Sequence, residues 1–283
     1  MYRKKMFLWI MILSLFFTLI PAASAAVIDV LTYDESVVGV KSNVNGSINF
    51  NFATGGGYAT VRNSLLNTSN FGSGGIIPHS VNILAPVPVL TGTALSNADV
   101  VVLSAYSNLS DAEKTALSVF MEGGGGVLIF NNYAATNLDS MLGATAGPYT
   151  TGDTTGTITD SASPIINGPF GVVSGNILAG WSGSFSDAGA EGSEVIANPV
   201  GSLGVTFDTG YGRGVVFTDE ELFLNSPSVD GIAWAALRDN TELLFLNSFA
   251  YAASGHGPGV IPEPGTFLLM GAGLLGFFFR RKP

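Results

Sequence analysis

Three short polar runs carry the groups in this chain that could do chemistry: Tyr33-Asp34-Glu35, Asn131-Asn132 and Asp219-Glu220-Glu221. Each follows an apolar segment of strand type, as do Ser104 and Tyr106. In an open α/β sheet, the residues after such strands converge on a crevice beyond their carboxyl ends. Carboxylate and amide oxygens gathered there suit a sugar, or a hard cation such as Ca²⁺ that takes oxygen ligands. These residue types leave the choice open and specify no particular metal. Two carboxylates held apart across a glycosidic bond would support hydrolysis, and Asp34 or Glu35 with Glu220 is the pair with that potential. The same residue types also make loop caps and solvated turns.

Other chemistries are excluded more simply. The chain has no cysteine, so a thiol nucleophile and a cysteine metal site are ruled out, and in an oxidising compartment the fold would be held by its core without disulfides. His79, beside Pro78, and His256, among glycines and Pro258, are its two histidines, and neither has the spacing of a metal site or a triad. The run from Gly123 to Gly126 is not a phosphate loop. A phosphate cradle lies between a strand and the start of a helix, whereas this run follows a helical pattern and precedes a strand. No cofactor is implied.

The elements that must position these groups are clearest between Asn97 and Asn132. Residues 98–104 form a continuous apolar run of the kind buried on both faces of a sheet. Ser110 and Glu113 make a capping box that opens a helix with Ala116, Leu117, Phe120 and Met121 on one stripe. The four glycines end it and residues 127–130 start the next strand, a unit that implies parallel pairing through a right-handed crossover. Residues 26–32 and 80–84 read as strands and 58–67 as a helix. Residues 203–207 and 214–218 flank a hairpin turn. Asp239-x-x-Glu242 reads as a second capping box opening a helix to about Ala253. Residues 150–198 are poorly periodic and predict short strands and loops. The fold class is therefore α/β with a mostly parallel sheet, and the Gly/Thr-rich middle keeps an all-β sandwich as the alternative.

The two ends are of another kind. Arg3, Lys4 and Lys5 precede an apolar stretch at 6–20, and Ala23-x-Ala25 supplies a cleavage site, which together make residues 1–25 a secretory signal peptide. At the other end Pro262-Glu263-Pro264 precedes an uncharged run at 267–279 and then Arg280-Arg281-Lys282. The two prolines remove backbone donors and stop a helix from propagating backwards. A helix over that run would be roughly 20 Å long against about 30 Å of bilayer hydrocarbon, short for a permanent span. With both basic ends held on the cytoplasmic side, everything between them lies outside the inner membrane. That part holds five basic residues against all 21 acidic ones, a net charge of −16. Such a charge excludes nucleic acid as a partner and disfavours electrostatic adhesion to anionic lipid.

The order Pro-Glu-Pro, apolar run, basic cluster closely resembles the PEP-CTERM sorting signal of Gram-negative bacteria, which an exosortase recognises and processes. The resemblance implies export across the inner membrane, a transient membrane anchor, and a final place at the cell surface or outside the cell. It also implies signal peptidase and exosortase as partners during export, and a link to exopolysaccharide and biofilm. The body has a resemblance of its own. The segment from Asn97 to Phe130 and the segment Gly212-Arg-Gly-Val-Val-Phe-Thr-Asp219 look like the centre of class I glutamine amidotransferase-like domains. This implies a flavodoxin-like three-layer sandwich over residues 26–254, followed by a linker at 255–261 and the tail at 262–283. Members of that family carry a cysteine nucleophile after the strand matching 127–130 and a histidine near the last strand. Here those places hold Asn131-Asn132 and Asp219-Glu220-Glu221, so amidotransferase activity is dismissed. The expectation is an exported, non-catalytic surface or matrix protein. The alternative is a carbohydrate-binding module or hydrolase using the carboxylates of the crevice.

Overall fold

The computed structural model describes residues 26–34, 51–104, 109–130, 141–152, 154–180, 182–224, 228–229, 232–233 and 239–255. The expected signal peptide with Ala23 and Ala25, the tail from Pro262 to Lys282, and Glu35, Tyr106, Asn131 and Asn132 lie outside the described residues. The chain runs through β1 (Val27–Thr32), α1 (Ala59–Leu66), β2 (Ser80–Ile83), α2 (Gly92–Leu95), β3 (Val100–Ser104), α3 (Asp111–Glu122) and β4 (Gly126–Phe130). The less periodic middle supplies β5 (Thr145–Ala146), β6 (Thr154–Ile158), β7 (Asn167–Gly168), β8 (Gly171–Val172), β9 (Ile177–Ala179) and β10 (Phe185–Asp187). Then come β11 (Gly192–Asn198), β12 (Gly201–Asp208), β13 (Arg213–Phe217), a 3-10 turn (Glu221–Phe223), and α4 (Asp239–Ala253).

The main sheet has the order β2-β1-β3-β4-β13-β12-β11-β6-β9. Its first five strands are parallel, in the doubly wound order of flavodoxin-like folds. From β13 onward it continues antiparallel, so the sheet is mixed. Alternation along the parallel strands builds two cores. Val100, Val102, Leu128, Phe130, Val215 and Phe217 face one side, against Val61 and Leu65 of α1 and Phe245 and Phe249 of α4. Val101, Leu103, Val127, Ile129 and Val216 face the other, against Leu95 of α2 and Leu117 and Met121 of α3. A sheet filled on both faces by helices is a three-layer α/β sandwich and not the all-β alternative. Close approach at the edge of β4 depends on Gly126, where an added Cβ would sit 2.3 Å from the Ala252 carbonyl oxygen.

The first capping box forms as its spacing predicts, with Ser110 and Glu113 each bonding the other's backbone N–H. Burial adds to it. Glu113 is almost fully enclosed, and its carboxylate accepts from Ser110 N–H, Ser110 Oγ, Leu90 N–H and the Tyr33 phenol. Burial pushes this carboxyl upward, but the hydrogen bonds outweigh it and hold the group below the ordinary glutamate range. The neutral amide in Glu113→Gln must turn a donor toward one of these donors. We expect it to cost about 1–3 kcal/mol of stability at pH 7, measured by urea denaturation. Because the folded-state value is depressed, the wild-type advantage is present at neutral pH and fades as acidification passes through that value.

The side chain of Asp239, on which the second capping box rests, lies outside the described residues. The helix expected there runs from Asp239 to Ala253, and the Glu242 carboxylate accepts from Ser64 Oγ of α1. This joins the two helices on one face of the sheet. The hairpin of β12 and β13 is antiparallel as expected. Gly210 takes its positive φ of 82°, and Arg213 pairs with Asp208 across the turn.

Candidate functional site at the carboxyl edge of the sheet

The ends of β1, β3, β4 and β13 lie side by side, because these strands are parallel neighbours in register. The sequence-predicted crevice residues that the structure describes therefore do share one edge. Tyr33 and Asp219 engage other parts of the protein through their side chains, and Asp34 and Glu220 through their backbone. Tyr33 is buried, and its phenol donates to Glu113 beneath α3. Asp34, partly exposed, is tied through its backbone N–H to the Val87 carbonyl. Ser104 closes β3 as a fully buried hydroxyl next to Phe130 in the register.

Asp219 follows β13 and is wholly buried. Its Oδ2 accepts from Gly180 N–H at 2.8 Å and its Oδ1 from Glu221 N–H at 2.8 Å, with Leu222 N–H as a third donor. It thereby ties the chain after β9 to the 3-10 turn. Burial raises its carboxyl to about 6, and the three N–H donors offset part of that rise. Glu220 is buried too, and its carbonyl accepts the Tyr58 hydroxyl from α1's N-cap at 2.9 Å. Glu221 is half-buried. Among the described residues, no three of His, Asp and Glu converge as metal ligands.

Sequence reasoning missed Glu113 as a partner of the crevice residues, although its capping-box position marked it as a carboxylate with backbone donors. It also missed the partners of Asp219 and Glu220, which come from Gly180 and Tyr58, distant in sequence. Nothing local signals such pairs.

Two depressions lie at the opposite, amino edge of the parallel strands. One, of about 330 Å³, is lined by Ile28, Leu95, Asp99, Val119, Phe120 and Gly255. The other, of about 580 Å³, lies between the end of α3 and the β12–β13 turn, with Met121, Glu122, Phe207 and Tyr211 in its lining. Among the described residues no helix is long and apolar enough to cross a membrane.

Comparison with known proteins adds one firm point. Residues 260–282 match the PEP-CTERM protein-sorting motif. No curated protein sequence matches the chain. Among solved structures, it is similar to a ThuA-like protein of Bacteroides uniformis, at 14% identity over 85% of this chain and 96% of that one, with a TM-score of 0.49. A GMP synthase component of Thermoplasma acidophilum aligns at 14% identity over 80% of this chain and 94% of its own, with a TM-score of 0.46. An exo-β-1,4-mannosidase of Opitutaceae bacterium strain TAV5 aligns at 14% identity over 80% of this chain but 36% of its own, with a TM-score of 0.47. Likeness at this distance is a likeness of fold and transfers no activity. The sorting motif does carry function: this is an exported protein, sorted by an exosortase-type system.

Proposed function

We propose that the protein is a non-catalytic component of the cell surface or extracellular matrix. In this reading its tail anchors it transiently in the inner membrane of a Gram-negative cell, and an exosortase then releases it into a matrix that contains exopolysaccharide. The observation that carries the reading is the PEP-CTERM motif at residues 260–282, joined to a body without a thiol nucleophile. The physical character of the body supports it. The net charge of −16 between the two basic ends, nearly all of it on the body, keeps an exported protein soluble. The short apolar run at 267–279 suits a temporary anchor better than a permanent one.

The test is mass spectrometry of the mature protein isolated from the surface or matrix of its own host. The expected chain ends before Phe267, with or without a group attached at the new end. A mature surface protein that still carries residues 267–283 would defeat the processing claim.

A further inference from the structure

The described body begins and ends at one place. Strand β1 enters the sheet at Val27, and α4 ends at Ala253 beside it: Ile28, Ala253 and Gly255 all line the smaller amino-edge depression. Gly255 packs against the backbone of two other amino-edge segments. A Cβ added there would lie 2.5 Å from the Gly124 carbonyl oxygen and 3.3 Å from that of Tyr211. Around this exit stand three apolar side chains without cover: Val27 at 49% exposure, Val119 at 61% and Tyr211 at 63%. Val119 and Tyr211 are among the most exposed large apolar side chains of the described residues.

From this we infer that, while the tail is inserted, the protein rests its amino edge on the lipid head-group layer, with Val27, Val119 and Tyr211 as the contact. The inference rests on the membrane-anchored stage proposed above. The tether sets the geometry. Six residues, 256–261, separate Gly255 from Pro262, and their full extension is roughly 20 Å. With Pro262-Glu263-Pro264 at the outer surface and the basic end inside, the edge bearing Gly255 is the one that faces lipid. Tyrosine favours this boundary, since its ring is apolar and its hydroxyl stays hydrated. The acidic body gains nothing from anionic head groups, so the occupant is the head-group layer as such, met through apolar contact. Asp34 and the other carboxyl-edge residues then point away from the membrane, and removal of the tail uncovers both amino-edge depressions.

The chain has no cysteine, so single-site labelling needs no prior substitution. Val119→Cys, Tyr211→Cys and Val172→Cys chains comprising residues 26–283, with the tail but not the signal peptide, would each carry an environment-sensitive fluorophore. Val172 is an equally exposed control at 61%, next to Gly171, which approaches Leu243 in the first half of α4. Each chain is incorporated in phosphatidylcholine–phosphatidylethanolamine vesicles containing a head-group nitroxide lipid. The expected result is flotation with the vesicles and quenching several-fold stronger at 119 and 211 than at 172. Flotation with equal quenching at all three positions, or none at 119 and 211, overturns the orientation. Failure to float would instead overturn the anchored stage. Shielding of 119 and 211 that disappears on diluting the protein in the bilayer identifies a second copy as the occupant, and also overturns the inference.

Discussion

Replacing Phe130 by alanine should cost about 3–5 kcal/mol of folding free energy, the range for emptying a buried aromatic site. That is a large part of the total available to a domain, about 5–15 kcal/mol. Phe130 ends β4 and is fully buried. Its ring lies 5.1 Å from that of Tyr58, 5.4 Å from Phe223, 6.0 Å from Phe52 and 6.3 Å from Phe245, all in edge-on arrangements. These partners come from the segment leading into α1, the 3-10 turn and α4, and they also touch one another, so Phe130 sits at the centre of an aromatic cluster drawn from three parts of the chain. The cavity has little freedom to collapse, because Ser104 of β3 and Phe217 of β13 hold the Phe130 backbone from both sides. Phe130→Leu retains most of the volume and should cost well under half as much. Guanidinium denaturation of both variants gives the comparison. A loss below about 1 kcal/mol for Phe130→Ala would mean that this aromatic cluster is not a packed core.

The parts of the fold legible in the sequence were those whose signals are local. The β3–α3–β4 unit was readable because its two strands are unbroken apolar runs and its helix starts at a residue pair three apart. The β12–β13 hairpin was readable because a turn containing Gly210 and Gly212 separates two apolar runs. The antiparallel extension through β11, β6 and β9 was not. Its strands carry threonine, glycine and serine. Although β11 joins β12 through the short turn at Pro199-Val200, β6 pairs with the more distant β9 and β11, and neither periodicity nor turn chemistry marks that order. The candidate site followed the same division. That Tyr33, Asp34, Ser104, Asp219 and Glu220 share an edge follows from parallel strands ending together. Whether each side chain faces solvent depends on partners such as Glu113, Gly180 and Tyr58, which only the folded chain brings near. Acidic residues after strands read as a crevice in the sequence, and in the structure Tyr33 and Asp219 also tie segments together.

Asp219 gives a second large effect, visible as a dependence on pH. Its carboxyl is raised to about 6 from an ordinary value of 3.8, chiefly by burial. The folded state therefore holds this proton more tightly than the unfolded state. Its contribution to stability is complete below the unfolded value and is lost as pH rises through about 6. A shift of this size is on the order of 3 kcal/mol. Groups such as Glu113 act in the opposite sense, so the wild-type curve alone mixes the two. Asp219→Asn copies the shape of the neutral acid and cannot ionise, and the difference between wild type and variant isolates the one group. That difference should favour the wild type near pH 4 and shrink by about 1.4 kcal/mol per unit at its steepest. Above pH 7 it should be level, with the variant equal to or more stable than the wild type. Urea denaturation of both proteins at half-unit steps from pH 4 to 8 reads it directly. A difference that stays flat across this range, or that grows with pH, would show that Asp219 is already ionised at low cost and that its three N–H donors outweigh burial.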